Sequence, residues 1–174
     1  MSTRQEKPRC PKVGVVMGSD SDLPIVQEVI LTLEGFGIEY EVTITSAHRS
    51  PQKTLKYGFS AKGRNLEVII ACAGGAAHLA GVLASTTILP VIGVPLESGG
   101  LQGIDALYSI VQMPRGVPVA TMAIGKSGAI NAAIFAAQIL ALKYPEVRTK
   151  LEEYKGKLVQ EIEAKNHRLN SGNL

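Results

Sequence analysis

The chain has 174 residues, of which 45% are hydrophobic and 19% charged, and its formal net charge is +3. A chain of this length and composition can bury a core without disulfides or a metal, which excludes a disordered chain and a disulfide-stapled mini-protein. The longest nearly apolar stretch, 129–142, is too short to cross a bilayer, so no membrane partner is expected.

Composition also narrows the partners and the location. The basic residues are scattered, so nucleic acid is not an expected partner, whereas a small anionic ligand is compatible with the charge. Cys10 and Cys72 match no redox spacing, and no group of His, Cys, Asp and Glu has metal-ligand spacing, so free thiols and no metal are predicted. Residues 1–12 lack the apolar segment of a secretory signal, which predicts a cytoplasmic protein.

From residue 12 onward, short runs rich in β-branched residues alternate with helical patterns. In chain order we predict a strand at 13–17, a helix at 23–36, a strand at 40–45, a helix at 51–63, a strand at 68–72, a helix at 76–85, a strand at 91–94, a helix at 104–112, a strand at 119–123 and a helix at 128–142. This alternation predicts an α/β fold, a flavodoxin-like three-layer sandwich around a five-stranded parallel sheet of order 2-1-3-4-5.

The composition changes after Pro145. Apolar residues in 146–169 recur in steps of three, four and seven, which predicts an amphipathic C-terminal helix. The expected organisation is therefore a polar tail at 1–11, a catalytic sandwich at 12–144 and a helix at 145–174 that packs on the domain or on a neighbouring subunit. The apolar circumference of 128–142, with small alanines, predicts that another subunit covers one flank of that helix.

The first strand ends in a polar loop that contains Gly18, Ser19, Ser21 and Asp22. A glycine lets the backbone approach a ligand, and the hydroxyls and carboxylates can bind one beside a helix N-terminus. Capping of the next helix by Ser21 or Asp22 is the simpler alternative, but it explains only one of the polar residues.

The second strand ends in a loop with Ser46, His48 and Arg49. A histidine titrates near neutrality, and an arginine offers a fork that fits phosphate. A surface position or a cap is the alternative for either residue alone. Because ligands bind at the carboxyl ends of strands in this fold, the pair favours a functional site.

The third strand ends in Gly74, Gly75 and Ala76, followed by His78. Backbone N–H groups in such a loop can hold a carboxylate or a phosphate, although a tight turn before a packed helix is the alternative. Taken alone, His78 is expected to be a packing residue. In a 2-1-3 strand order the three loops are adjacent, so they are predicted to form one pocket.

Three familiar motifs fail on spacing. The Gly125-Lys126-Ser127 segment lacks the earlier glycine of a phosphate-binding P-loop, because position 120 is alanine. The third strand lacks the acceptor aspartate of a receiver domain. No G-x-G-x-x-G turn follows the first strand, so a dinucleotide fold has no support.

Several segments together resemble a known family. They are MGSDSD at 17–22, SAHRSP at 46–51, AGGAAHLAG at 73–81, PVIGVP at 90–95 and DALYSIVQMPRGVPVATMAIGKSGAINAA at 105–133. These blocks resemble the catalytic subunit family of bacterial purine biosynthesis, over residues 12–142. The family contains mutases and direct carboxylases, and Arg49 and the 75–78 loop are similar to those of the mutases.

The resemblance implies an isomerase that moves a carboxylate from nitrogen to carbon on an aminoimidazole ribonucleotide, with His48 as the acid/base. It further implies that Ser19 and Asp22 hold the ribose and phosphate end and that Arg49 and Ser46 hold the phosphate. The 74–78 loop would shape the site around the migrating carboxylate.

The resemblance also implies a homo-octamer with no metal and no organic cofactor, acting after an ATP-dependent synthetase that makes the substrate. Two alternatives stay open. One is a direct carboxylase that takes carbon dioxide from solution, and the other is a nucleotide-binding sandwich without catalysis.

Overall fold

The computed structural model describes residues 12–171, so the predicted tail with Cys10 and the last three residues lie outside the described part. Five parallel strands hydrogen-bond in the order β2-β1-β3-β4-β5. The strands are β1 Val13–Met17, β2 Tyr40–Ile44, β3 Val68–Gly74, β4 Val91–Leu96 and β5 Ala120–Thr121. The predicted fold class and strand order are confirmed.

In the part of the chain that the structure describes, six α-helices connect or cover the strands. They are α1 Leu23–Phe36, α2 Pro51–Ala61, α3 Leu79–Ala84, α4 Ile104–Val111, α5 Gly125–Ala141 and α6 Pro145–Asn170. Helices α1, α5 and the start of α6 share one hydrophobic core with one face of the sheet, and α2, α3 and α4 share another core with the opposite face. Buried apolar side chains alternate between these cores along β3, because successive residues of a strand point to opposite faces.

The strand register brings three carboxyl ends level with one another. Met17 pairs with Ile44 of β2 on one side and with Cys72 of β3 on the other. The loops that follow β1, β2 and β3 therefore leave the sheet at one edge. Burial raises the pKa of the Cys72 thiol to about 12, so this residue is a core group and not a reactive thiol.

Several predicted boundaries differ from the structure. Helix α3 begins at Leu79 and not at residue 76, because β3 continues to Gly74 and the left-handed backbone of Gly75 (φ +61°) then turns the chain. Strand β5 has only two residues, because only Ala120 and Thr121 pair with β4. Helix α5 starts at Gly125, three residues earlier than predicted.

The alanines of α5 pack within the chain and not against another subunit, whereas the covering of one flank of this helix by another subunit stays a prediction. Ala132, Ala133, Ala136 and Ala137 are fully buried within the chain, in the core that α5 shares with α1. Small side chains are needed here because two helices of the same chain pack closely. The exposed large apolar side chains of this segment are Phe135 and Leu142.

Helix α6 is anchored at its start and uncovered further on. Val147 and Leu151 are buried in the core beside α5, and the Arg148 guanidinium donates to the Ala141 carbonyl at the end of α5. Ile162 is 64% exposed, and Leu158, Val159 and Leu169 are exposed as well. The first turns thus pack on the same chain, while the later turns present an apolar stripe. Within residues 12–171, no helix has both the length and the apolar character to cross a membrane.

Gly128 illustrates how closely α5 approaches the chain before it. A β-carbon at this position would collide with the carbonyl oxygen of Ala123. We expect Gly128→Ala to lower the free energy of unfolding by about 1–3 kcal/mol, because the first turn of α5 must shift. Gly35 in α1 has no heavy atom within 4 Å of that position, so Gly35→Ala should stabilise by about 0.4–1 kcal/mol. Urea unfolding of both variants tests this, and a common direction of change would contradict it.

Candidate active site

A cleft of about 330 Å³ lies at the carboxyl edge of the sheet. Loops after β1, β2, β3 and β4 all contribute to it. Its lining consists of Gly18, Ser19, Ser21, Asp22, Ser46, Ala47, His48, Arg49, Ala73, Gly74, Ala76, His78, Leu79 and Ser98. The structure therefore brings together every predicted site residue except Gly75, which forms the turn between two lining residues.

The first loop is organised by a reciprocal pair of hydrogen bonds. Ser19 caps the short 3-10 turn at 20–22 by accepting from the Ser21 N–H, and the Asp22 carboxylate accepts from the Ser19 N–H at 3.1 Å. The alternative in which Ser21 or Asp22 caps the next helix is not what the structure shows. Asp22 occupies the N-cap position of α1, but its side chain makes no capping hydrogen bond there. Burial raises the pKa of Asp22, although hydrogen bonds from the backbone of Ser19 and Gly18 oppose this.

The second loop is held by hydroxyl groups below it. Ser50 occupies the N-cap position of α2, but its side chain makes no capping hydrogen bond. Its hydroxyl instead accepts from the Ser46 N–H at 2.9 Å, and it lies 3.2 Å from the Thr45 hydroxyl, which contacts buried Thr54. The backbone between Ser46 and Ser50 is thus fixed, and the side chains of the two residues before Ser50 project to the surface.

Arg49 joins the second loop to the first. Its backbone N–H donates to the Ser46 hydroxyl at 3.2 Å, and its guanidinium Nη2 donates to the Gly18 carbonyl at 2.9 Å. The side chain is exposed, and it borders both the main cleft and an adjoining hollow. The remaining N–H groups of the guanidinium can bind an anion placed between these loops.

His48 crosses from the second loop to the third. Its Nε2 lies 2.8 Å from Nδ1 of His78, and the rings meet nearly edge-on, at 86° with centroids 4.9 Å apart. One ring donates and the other accepts, so the pair can hold and pass a proton. The expectation that His78 packs in the core is wrong, because Ala77 and Leu79 are the buried residues and His78 is exposed.

The sequence-based site lacked the residues of the fourth loop. Ser98 lines the cleft from the loop after β4, and Ala73 and Leu79 add an apolar wall beneath the third loop. The signal for Ser98 was present, since Ser98 and Gly99 follow β4 as Gly18 and Ser19 follow β1. Among the described residues, no three His, Cys, Asp or Glu side chains converge as a metal site would require.

A cleft at the carboxyl edge of the sheet, with a histidine pair and an arginine, lies where proteins of the flavodoxin-like class bind small ligands. Comparison with known proteins identifies the family. Residues 12–161 match the AIR carboxylase family. The chain belongs to this family, as the resemblance of its loop segments predicted.

Individual relatives agree with this assignment. The chain is 56% identical over 159 residues to N5-carboxyaminoimidazole ribonucleotide mutase of Thermotoga maritima, an alignment that covers 91% of this chain and 92% of the relative. It is 53% identical to the mutase of Pyrococcus horikoshii, over 97% of this chain and 93% of the relative. Its structure resembles the crystal structure of Treponema denticola PurE, with 29% identity, a TM-score of 0.82 and coverage of 91% and 98%.

A longer relative has the other activity in its name. Phosphoribosylaminoimidazole carboxylase of Candida glabrata is 50% identical over 166 residues, which make up 95% of this chain and 29% of that protein. The names of these relatives, mutase and carboxylase, correspond to the two reactions that the sequence analysis left open.

Proposed function

We propose that the chain is an isomerase of purine biosynthesis that converts 5-carboxyaminoimidazole ribonucleotide to 4-carboxy-5-aminoimidazole ribonucleotide. The observation that carries the proposal is the His48–His78 contact beside Arg49 in one cleft. The relatives from Thermotoga maritima and Pyrococcus horikoshii are both named as mutases. Each is more than 50% identical to this chain over most of both chains. This favours the mutase reaction over direct carboxylation.

The chemistry needs one proton taken up and one released. The bond between the exocyclic nitrogen and the carboxylate breaks, its electron pair stays on the nitrogen, and the nitrogen takes a proton while carbon dioxide leaves. Carbon C4 of the ring then attacks the carbon dioxide, a C–C bond forms, and C4 loses its proton. We assign both transfers to His48, because a single positioned base can give and take the proton. His78 holds the ring of His48 through their hydrogen bond.

The polar groups on the other side of the cleft suit the ribose phosphate. Arg49 and the Ser46 hydroxyl lie together, and we assign the phosphate to them. Ser19, Ser21 and Asp22 line the same side, and we assign them to the ribose and phosphate end. The carboxyl group comes from the substrate itself and no redox change occurs, so we propose that the reaction proceeds without an organic cofactor.

The third loop suits the confinement of carbon dioxide. Carbon dioxide carries no charge, so a site retains it by enclosure and by the exclusion of water. Ala73, Gly74, Ala76 and Leu79 provide small or apolar walls next to the histidine pair. In this proposal the Gly74–His78 segment surrounds the migrating carboxylate, and Gly75 supplies the turn that shapes it.

An assay with two substrates tests the function. The purified chain is given 5-carboxyaminoimidazole ribonucleotide without bicarbonate, and separately 5-aminoimidazole ribonucleotide with bicarbonate. We expect rapid formation of the C4-carboxylated product from the first substrate. Turnover only in the second reaction would establish the direct carboxylase, and tight binding with no turnover in either would establish a non-catalytic binding protein.

We further propose a homo-oligomer larger than a dimer, with the octamer that the family resemblance implies. Two exposed apolar surfaces support this assembly, the uncovered stripe of α6 and a row of side chains on and just before α4. The row consists of Leu101, Ile104, Tyr108 and Val111.

Removal of residues 146–174 is expected to lower both the number of subunits in the assembly and the melting temperature, since Val147 and Leu151 leave the core. Sedimentation measures the number of subunits, and a monomeric intact chain at micromolar concentration would contradict the proposal.

The pathway context and location complete the proposal. A carbamate on an amine needs an energy source to form, so we propose that an ATP-dependent synthetase supplies the substrate. The Candida glabrata carboxylase is far longer than this chain, which leaves room in that protein for a second function. A cytoplasmic location fits Cys72, which is a free thiol in the described part of the chain.

A further inference from the structure

Ser98 is an N-cap residue whose hydroxyl group makes no capping hydrogen bond. The residue occupies the N-cap position of the 3-10 turn at 99–101, where a serine ordinarily accepts a hydrogen bond from the turn. Its side chain makes no such bond, and it has no hydrogen-bond partner within residues 12–171. The hydroxyl is therefore free to bind a ligand in the cleft that it lines.

The Ser98 hydroxyl lies close to the third loop. A β-carbon built on Gly74 would lie 2.9 Å from the Ser98 hydroxyl oxygen, and one built on Gly75 would lie 3.4 Å away. Ser98 thus lies directly against the third loop, where the absence of a side chain at Gly74 permits the close approach. Left-handed backbone at Gly99 and Gly103 (φ +67° and +84°) shapes the loop that presents it.

The strand order places Ser98 at the end of the cleft opposite Arg49. Loops two, one, three and four lie side by side, Arg49 binds across from loop two to loop one, and His48 reaches loop three. A ribonucleotide with its phosphate at Arg49 and its ring at the histidines directs its exocyclic carboxyl group toward loops three and four. At that end Ala73 and Leu79 are apolar, so the Ser98 hydroxyl is a polar side chain placed to reach the carboxyl group.

We propose that Ser98 donates a hydrogen bond to the migrating carboxyl group and retains the carbon dioxide between its release from nitrogen and its capture at C4. This assignment rests on the proposed mutase function and adds a residue that controls the partition of the intermediate. Loss of the hydroxyl leaves the proton chemistry at His48 intact. It weakens the hold on carbon dioxide, so more of it escapes and 5-aminoimidazole ribonucleotide is left behind.

The experiment follows the labelled carboxylate of the substrate. The enzyme converts substrate with a labelled carboxylate in buffer that contains unlabelled bicarbonate, and the label in the product and the released 5-aminoimidazole ribonucleotide are measured. We expect Ser98→Ala to raise the escape of label about two- to tenfold, as for loss of one hydrogen bond to an uncharged group. Ser98→Thr keeps the hydroxyl at an exposed position, so it should restore retention.

Ser127→Ala provides the matched control, since Ser127 is exposed in the first turn of α5 and does not line the cleft. Label retention in Ser98→Ala equal to that of the wild type would overturn the proposal. Equal label loss in the alanine and threonine variants, with a lowered melting temperature, would also overturn it and assign Ser98 a structural role. If the wild type itself fails to convert the substrate, the proposed function is at fault, and this outcome is separate from the others.

Discussion

Replacement of His48 by asparagine is expected to abolish most of the turnover and leave substrate affinity nearly unchanged. Asparagine keeps a polar side chain but cannot exchange a proton near neutral pH, so kcat should fall by about 10²–10⁴. The melting temperature should stay the same, because both His48 and its partner His78 are exposed and water can replace their hydrogen bond. Steady-state kinetics and isothermal titration with the product separate the two effects.

His167→Asn is the matched control for this variant. His167 lies in the last turns of α6 and is exposed, outside the cleft. We expect wild-type kinetics from it. Near wild-type turnover in His48→Asn would refute the acid/base role and would direct attention to His78, the other histidine of the cleft.

Arg49→Lys is expected to show the opposite behaviour, a loss of affinity at constant net charge. Lysine cannot reproduce the planar fork that binds phosphate with two hydrogen bonds. It also loses the guanidinium bond to the Gly18 carbonyl, which ties the second loop to the first. Loss of a hydrogen bond to a charged group lowers affinity about tenfold or more, and KM should rise accordingly while kcat changes less.

The same substitution at Arg168, an exposed residue of α6, serves as the control. The affinities of Arg49→Lys for the ribonucleotide and for its dephosphorylated nucleoside should be similar, because the variant loses the phosphate contact by which the wild type prefers the ribonucleotide. Isothermal titration with both compounds measures this. Equal ribonucleotide affinity in Arg49→Lys and the wild type would assign the phosphate to other residues of the cleft.

Much of the fold and of the site could be predicted from local pattern. Continuous apolar runs such as Val68–Cys72 indicate strands that are covered on both faces, and the alternation with helices indicates a parallel sheet. The carboxyl ends of parallel strands lie at one edge, so polar loops after the first three strands were expected to meet, and the cleft confirms this. The functional groups of serine, histidine and arginine follow from the residue type alone, so the kind of chemistry in these loops could be predicted without a structure.

Other features depend on contacts between segments that are distant in the chain. The bond between His48 and His78 joins residues 30 positions apart, and it exists because the register of β1 with β2 and β3 aligns their ends. No periodicity in either loop encodes this distance. His78 therefore looked like a packing residue until the sheet placed it opposite His48.

Side-chain roles at loop ends were also decided by the tertiary structure. Ser50 and Ser98 both occupy N-cap positions, yet Ser50 supports the second loop and Ser98 faces the cleft. A hydroxyl group can bond to several nearby partners of similar energy, and neighbouring loops determine which one it meets. In the same way, the alanines of α5 indicate a close helix contact by their size, but only the packing against α1 shows that the contact is made within the chain.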